Sequence, residues 1–160
     1  MLPGKVVSGG QTGVDRAALD AALKINIPCG GWCPAGRRAE DGRIPDEYPL
    51  RETASNAYEE RTRLNVLDSD ATLICNTGDL EGGTLLTARL AEQLNKPLHV
   101  ASLDQYPEDE IDECSRWIIS RQVRVLNVAG PRSSKCQEIY QQTLRFMVRL
   151  LRKNQESYGG

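Results

Sequence analysis

Lys5-Val6-Val7-Ser8-Gly9-Gly10-Gln11-Thr12-Gly13-Val14-Asp15-Arg16 decides the fold of this chain. Its first residues form a short apolar strand, and three glycines follow. Val14, Ala17, Ala18, Ala21, Ala22 and Ile25 then recur at three-and-four spacing, which predicts a helix with one buried face. Glycines where a strand passes into a helix let the backbone approach a ligand, with amide hydrogens and the helix dipole aimed at an anion. Thr12 and Asp15 also fit a helix-start capping pattern, in which the hydroxyl accepts an early N–H. The loop lacks the Lys-Ser/Thr pair of a nucleotide-triphosphate P-loop and the glycine spacing of the dinucleotide fingerprint.

The same unit recurs downstream. Cys29-Gly30-Gly31-Trp32-Cys33 is expected as a brief second strand after Pro28. Ala71-Thr72-Leu73-Ile74-Cys75 is a continuous apolar run, as in a strand covered on both faces. A second glycine loop, Asn76 to Thr84 with Gly82-Gly83, opens a helix to about Gln93. Leu98-His99-Val100-Ala101 predicts another strand, and Tyr106-Pro107 starts a helix that ends at Arg121. Val123 to Val128 is the last strand, followed by a third loop, Ala129-Gly130-Pro131-Arg132. The closing helix is expected from Ser133 or Ser134, with Ser134 and Gln137 as a capping box and Tyr140, Leu144, Met147 and Leu151 as its apolar stripe.

This alternation predicts an α/β fold: one Rossmann-like three-layer domain over residues 1–160, with a mainly parallel sheet of about five strands. Right-handed crossovers place every strand-to-helix loop at one sheet edge, so Gly9-Gly10, Gly82-Gly83 and Gly130 should converge. Ligands in such folds sit beyond the carboxyl ends of the strands at the switch in strand order, expected here between the first strand and the one ending at Cys75.

Residues 34–50 form a long connection rich in proline, glycine and charge, which predicts a functional surface loop. It carries Arg37, Arg38, Glu40 and Asp41. These are either a solvated charged loop or a flap whose arginines close over an anion. A polar helix is expected from about Asn56 to Val66.

The candidate ligand-binding set is therefore Ser8, Gly9, Gly10, Gln11, Thr12, Gly13, Arg16, Arg37, Arg38, Asn76, Gly82, Gly83, Thr84, Gly130, Arg132 and Ser134. Arg132 has no obvious structural duty and can offer a phosphate paired donors. Asp15, Glu40 and Asp41 are the candidate acid–base carboxylates should the ligand be hydrolysed. Trp32 fits either a stacking platform or the core. No metal site is expected: Cys29 and Cys33 lack partners at zinc spacing, and His99 sits in an apolar strand as a satisfied core imidazole.

Composition narrows the partners. With 160 residues, 39% hydrophobic and 26% charged, the chain has the balance of a globular protein. A net charge of -2 argues against a broad nucleic-acid footprint, and no apolar run is long enough to span a bilayer. The amino terminus lacks a secretory pattern, and five scattered cysteines fit reduced thiols, so a cytoplasmic protein is expected. Homo-oligomers are compatible with all of this.

The stretch from Ser8 to Arg16 also resembles the "putative molybdenum carrier" family. Gly36 to Pro45, Arg61 to Val66, Asp68 to Ile74, Gly82-Gly83-Thr84 and Asn127 to Arg132 extend the match over most of the chain. That family looks like the circularly permuted YpsA-related branch of the SLOG superfamily, relatives of the lysine-decarboxylase-like LOG proteins. The resemblance implies a Rossmannoid fold and a pocket for nucleotide-derived or similar phosphorylated ligands. The carrier name implies molybdenum cofactor as the ligand. The LOG phosphoribohydrolases follow a Gly-Gly-x-Gly-Thr loop closely with a catalytic glutamate. Here Leu85-Leu86-Thr87 follows Thr84, and the next acidic residue is Glu92. Ligand binding is thus the leading expectation, with hydrolysis of a nucleotide-derived N-glycosidic or phosphate linkage as the alternative.

Overall fold

The structure, a computed structural model, describes residues 1–104 and 106–159. In chain order the elements are β1 (Lys5–Val7), α1 (Val14–Ile25), β2 (Cys29–Gly30), β3 (Trp32–Cys33), β4 (Arg38–Ala39), β5 (Gly42–Arg43), β6 (Arg51–Glu52), α2 (Tyr58–Leu67), β7 (Ala71–Asn76), α3 (Gly82–Gln93), β8 (Leu98–Ser102), α4 (Pro107–Ser120), β9 (Val125–Ala129) and α5 (Ile139–Gly159). The fold is α/β and Rossmann-like, with a five-stranded parallel sheet in the order β2-β1-β9-β7-β8.

That order refines the expected switch point. The last strand in sequence, β9, lies between β1 and β7, pairing Leu126 with Val6 and Val128 with Leu73. Three carboxyl ends therefore stand side by side where two were expected. The chain moves outward from β1 to β2 and, on the other side, from β7 to β8, so the loops after β1, β9 and β7 diverge around one crevice.

Strand alternation divides the two faces of the sheet. Val6, Leu73, Cys75, Leu126 and Val128 form one core with Val14, Ala18, Ala21 and Ala22 of α1, Ile111, Cys114 and Ile118 of α4, and Ile139, Met147, Leu150 and Leu151 of α5. A fully buried Leu or Ile in such a core contributes about 1.5–3 kcal/mol relative to exposure. The opposite face is thinner and more polar. Asn127 donates its side-chain amide to Thr72 Oγ1 at 3.2 Å, and α2 and α3 cover this side with Thr62, Asn65 and Thr87. No helix among the described residues is long and apolar enough to cross a membrane. All five cysteines are free thiols.

Three local expectations need correction. The run Cys29 to Cys33 is two strands, because Gly31 turns the chain at φ 126° against the Ser8 carbonyl, where a Cβ would lie 2.3 Å away. Cys29-Gly30 stays in the main sheet, while Trp32-Cys33 leaves it to pair with β6. The long connection is packed rather than merely solvated. Cys33, Ala39, Ile44 and Tyr48 form a second apolar cluster with Leu19 on the other side of α1. Its prolines and charges masked that apolar spacing.

The helix starts also differ. The closing helix begins at Ile139, and residues before it form turns held by Lys135 N–H and Cys136 N–H on the Arg132 carbonyl. Met147 and Leu151 of the expected stripe are buried, together with Ile139, Thr143, Phe146, Val148, Leu150 and Asn154, whereas Tyr140 and Leu144 lie at the edge of the helix. Ser134 does not cap it. At α1 the N-cap is Gly13 and makes no side-chain cap, while the Thr12 hydroxyl accepts Ser133 N–H at 3.2 Å, across to the β9 loop. Asp15 does reach back, accepting Gln11 N–H at 3.1 Å.

Candidate functional site

A cleft of about 670 Å³ opens at the carboxyl ends of β1, β9 and β7. Its walls come from all three loops and from α2, including Gln11, Asn76, Gly82, Gly83, Thr84, Gly130 and Arg132 of the candidate ligand-binding set and Asp15 of the candidate carboxylates. The structure brings these eight together. Gly9 lines a small annex with Asn127 and Ala129, next to the main cleft.

The glycines divide by what surrounds them. In the first and third loops they admit other parts of the protein. A Cβ on Gly9 would meet Arg61 Nη1 at 1.9 Å, one on Gly13 the Pro131 carbonyl at 2.4 Å, and one on Gly130 the Cys75 carbonyl at 2.2 Å. Gly82 and Gly83 have nothing within 4 Å and open α3 toward the cleft. Thr84 N–H already bonds the Glu81 carbonyl at 3.1 Å, whereas the Gly82 and Gly83 N–H groups precede the helical ladder and present partial positive charge to the space beyond. Asn76 donates its side-chain amide to the Gly78 carbonyl at 2.9 Å and shapes this loop.

Arg61, Tyr58 and Lys135 also line the cleft and were not expected to. Arg61 is carried by α2, a helix almost without an apolar stripe. A polar helix that still packs on a sheet has to bury polar side chains, and that was the available signal. Its guanidinium reaches Asp15 Oδ2 at 3.3 Å, and its Nε has no hydrogen-bond partner among the described residues. Burial pushes the Asp15 carboxyl above its ordinary range, opposed chiefly by Arg61 and then by Gln11 N–H. Burial likewise pulls Arg61 below its ordinary value, against the attraction of Asp15.

Tyr58 gathers guanidiniums around its ring: Arg38 at 4.5 Å, Arg132 at 4.6 Å and Arg61 at 5.8 Å from the centroid. Arg61 and Arg132 of this group line the cleft with Lys135 and lend it positive potential, whereas Arg38 does not line it and donates Nη1 to the Asn56 carbonyl at 3.1 Å. Asp79 and Glu81 of the β7 loop stand on the cleft wall as well. One ligand is thus offered donors for an anion and acceptors for hydroxyl or amino groups.

The remaining expected residues hold the protein to itself. Ser8 donates to the Asp15 carbonyl at 2.9 Å, and Gly10 packs against Leu50 and Ile44. Arg16 pairs with Asp41 through both guanidinium nitrogens, at 2.5 and 2.8 Å, and donates Nε to the Gly10 carbonyl. Arg37 is buried, with its donors on the carbonyls of Ile44, Pro45 and Tyr48 at 2.7–3.0 Å. Glu40 accepts from Thr12 and from Ser134 Oγ and N–H. The largest single influence on Glu40 is upward, from burial, yet those hydrogen bonds together hold its carboxyl below the ordinary value. Arg16 does the same for Asp41. Neither carboxylate lines the cleft, so of the three carboxylates expected from the sequence Asp15 alone does. Trp32 neither joins the core nor reaches the cleft, and donates Nε1–H to Asp68 at 2.8 Å.

Comparison with known proteins agrees with this fold. Residues 6–151 match the model of the circularly permutated YpsA SLOG family. The crystal structure of a protein named putative molybdenum carrier protein, from Syntrophus aciditrophicus SB, superposes with a TM-score of 0.91 at 50% identity, over 92% of this chain and 94% of that one. No curated protein matches the chain. On the extent of both likenesses, the chain belongs to the circularly permutated YpsA SLOG family.

Proposed function

We propose that the cleft binds a small phosphorylated or otherwise anionic ligand, nucleotide-derived or molybdenum-cofactor-like, and that the protein acts as a cytoplasmic ligand-binding or carrier protein. The observation that carries this reading is the open amino-terminal turn of α3 at Gly82-Gly83, sharing one cleft with Arg61, Arg132 and Lys135. Amide hydrogens at a helix start and guanidiniums are the two commonest phosphate receptors, and here both serve one cleft. Asp79 and Glu81 suit the hydroxyl groups of a sugar or the amino groups of a pterin. The carrier name of the 50%-identical relative adds molybdenum cofactor to the ligand class. For that ligand, Arg132, Lys135 and the α3 turn would hold the phosphate.

Thermal unfolding with nucleotides, ADP-ribose, pterin phosphates and molybdate tests the reading, because a ligand that prefers the folded state raises the midpoint. At least one phosphorylated compound should do so, and Arg132→Ala should weaken it by roughly tenfold or more, the worth of a charge-assisted hydrogen bond. A panel without any shift would remove the proposal. Hydrolysis is the second reading, favoured by Asp15, whose raised pKa in a cleft suits a general acid. Turnover that survives Asp15→Asn would dismiss Asp15 as the acid, and the lack of turnover on every compound of the panel would dismiss the reading.

A further inference from the structure

We propose that His99, Glu110 and Glu113 bind one divalent transition-metal ion of the zinc or cobalt class, which clips α4 to the edge strand β8. The site shares no residue with the cleft and does not depend on the reading above.

β8 is the last strand of the sheet, supported by β7 on one side only. Glu110 and Glu113 are three residues apart on α4 and so share a helix face. One ligand atom from each carboxylate and from the His99 ring lie within 4.8 Å of one another. His99 Nε2 and Glu110 Oε2 are 3.7 Å apart. Both atoms are closed off from solvent and have no hydrogen-bond partner among the described residues. That separation is too long for a hydrogen bond. It is close to the roughly 3.4 Å between two ligands of a tetrahedral ion with bonds of about 2.1 Å.

The groups around the site orient it. The Trp117 ring lies 5.3 Å from the His99 ring, tilted by 31°, and fixes the imidazole from one side. Glu110 Oε1 accepts Ser102 N–H at 3.2 Å, which leaves Oε2 for His99. Such secondary hydrogen bonds are what position metal ligands. The exposed Glu113 completes the set from the solvent side. One imidazole with two carboxylates suits zinc or cobalt better than calcium or magnesium, which take oxygen ligands throughout. Two carboxylates also repel molybdate, so this site is not one for an oxyanion.

Cobalt(II) titrated into the full-length protein, read by visible absorption and competed with zinc, is the test. One equivalent should bind, produce d–d bands that zinc abolishes, and raise the unfolding midpoint. His99→Ala should remove binding, and Glu113→Gln should weaken it by roughly tenfold or more. Glu113 is exposed, so that variant keeps the test decisive should His99→Ala fail to fold. Unchanged binding in Glu113→Gln would mean that the ion is not held by this set of residues and would overturn the proposal. So would the lack of saturable binding at millimolar cobalt, or a strong thiolate-to-cobalt band placing the ion on cysteine.

Discussion

Asp15 Oδ2 and Arg61 Nη1 lie 3.3 Å apart at the cleft, with side chains only 5% and 14% exposed, and each neutralises a charge that would otherwise be buried alone. Gly9 makes the pair possible, because any Cβ there would occupy the guanidinium's place. Removing one partner leaves the other uncompensated, which typically costs about 3–5 kcal/mol. Arg61→Met should therefore destabilise the protein by that order in urea unfolding. Arg61→Met combined with Asp15→Asn should cost clearly less than the sum of the two single changes. Additive losses would mean that the two side chains are not coupled.

The sequence made much of this fold legible because its signals are local. The Val14 to Ile25 periodicity and the apolar run Ala71 to Cys75 each specify an element without reference to the rest of the chain. Strand order is not local, so the placement of β9 between β1 and β7 could not be read from it. For the same reason Arg61 stayed hidden: its partner is 46 residues away, and Gly9 looked equally well suited to an anion. Arg37, Glu40 and Asp41 have the chemistry of a ligand flap, but their partners are the protein's own carbonyls, hydroxyls and Arg16.

Two glycines of the site should respond in opposite ways. Gly130→Ala places a methyl group 2.2 Å from the Cys75 carbonyl and 2.6 Å from Val14 Cγ2, so backbone has to move. A stability loss of about 1–3 kcal/mol is expected. Gly83→Ala meets nothing within 4 Å and lies in the first turn of α3, so stability should hold or rise by up to about 1 kcal/mol. If the α3 turn receives the ligand, Gly83→Val should nevertheless weaken binding. Equal stability losses in Gly130→Ala and Gly83→Ala would contradict this division.

Glu40 and Asp41 tie the β4–β5 hairpin to Ser134 and Arg16, and both carboxyls are held below their ordinary values in the fold. A group depressed in the native state contributes stability above its unfolded pKa and loses it as pH falls through the folded value. The tie should thus be intact above about pH 4 and release below it. The effect on global stability should be small, because both side chains are exposed. Hydrogen exchange at Ser134 N–H, corrected for intrinsic rates, should accelerate in that acidic window while β7 amides stay protected. Glu40→Gln should already exchange fast at neutral pH. Protection at Ser134 that ignores both acid and this substitution would refute the tie.

Arg37 separates a structural loop from a ligand flap. Its Nε and Nη2 satisfy three carbonyls, those of Ile44, Pro45 and Tyr48, and Nη1 approaches the Leu50 carbonyl at 3.5 Å. Four acceptors in different directions suit a planar guanidinium, whereas an ammonium is a single point with three donors. Truncation leaves carbonyls without their donors, on the order of 3 kcal/mol. It also frees the segment that carries Ile44 and Tyr48 into the second core. Arg37→Met should therefore open residues 40–50 to limited proteolysis, and Arg37→Lys should rescue little of the loss. Because Arg37 does not line the cleft, ligand affinity measured on the surviving folded fraction should change little. A variant as protease-resistant as the parent but defective in binding would instead make Arg37 part of a flap over the ligand.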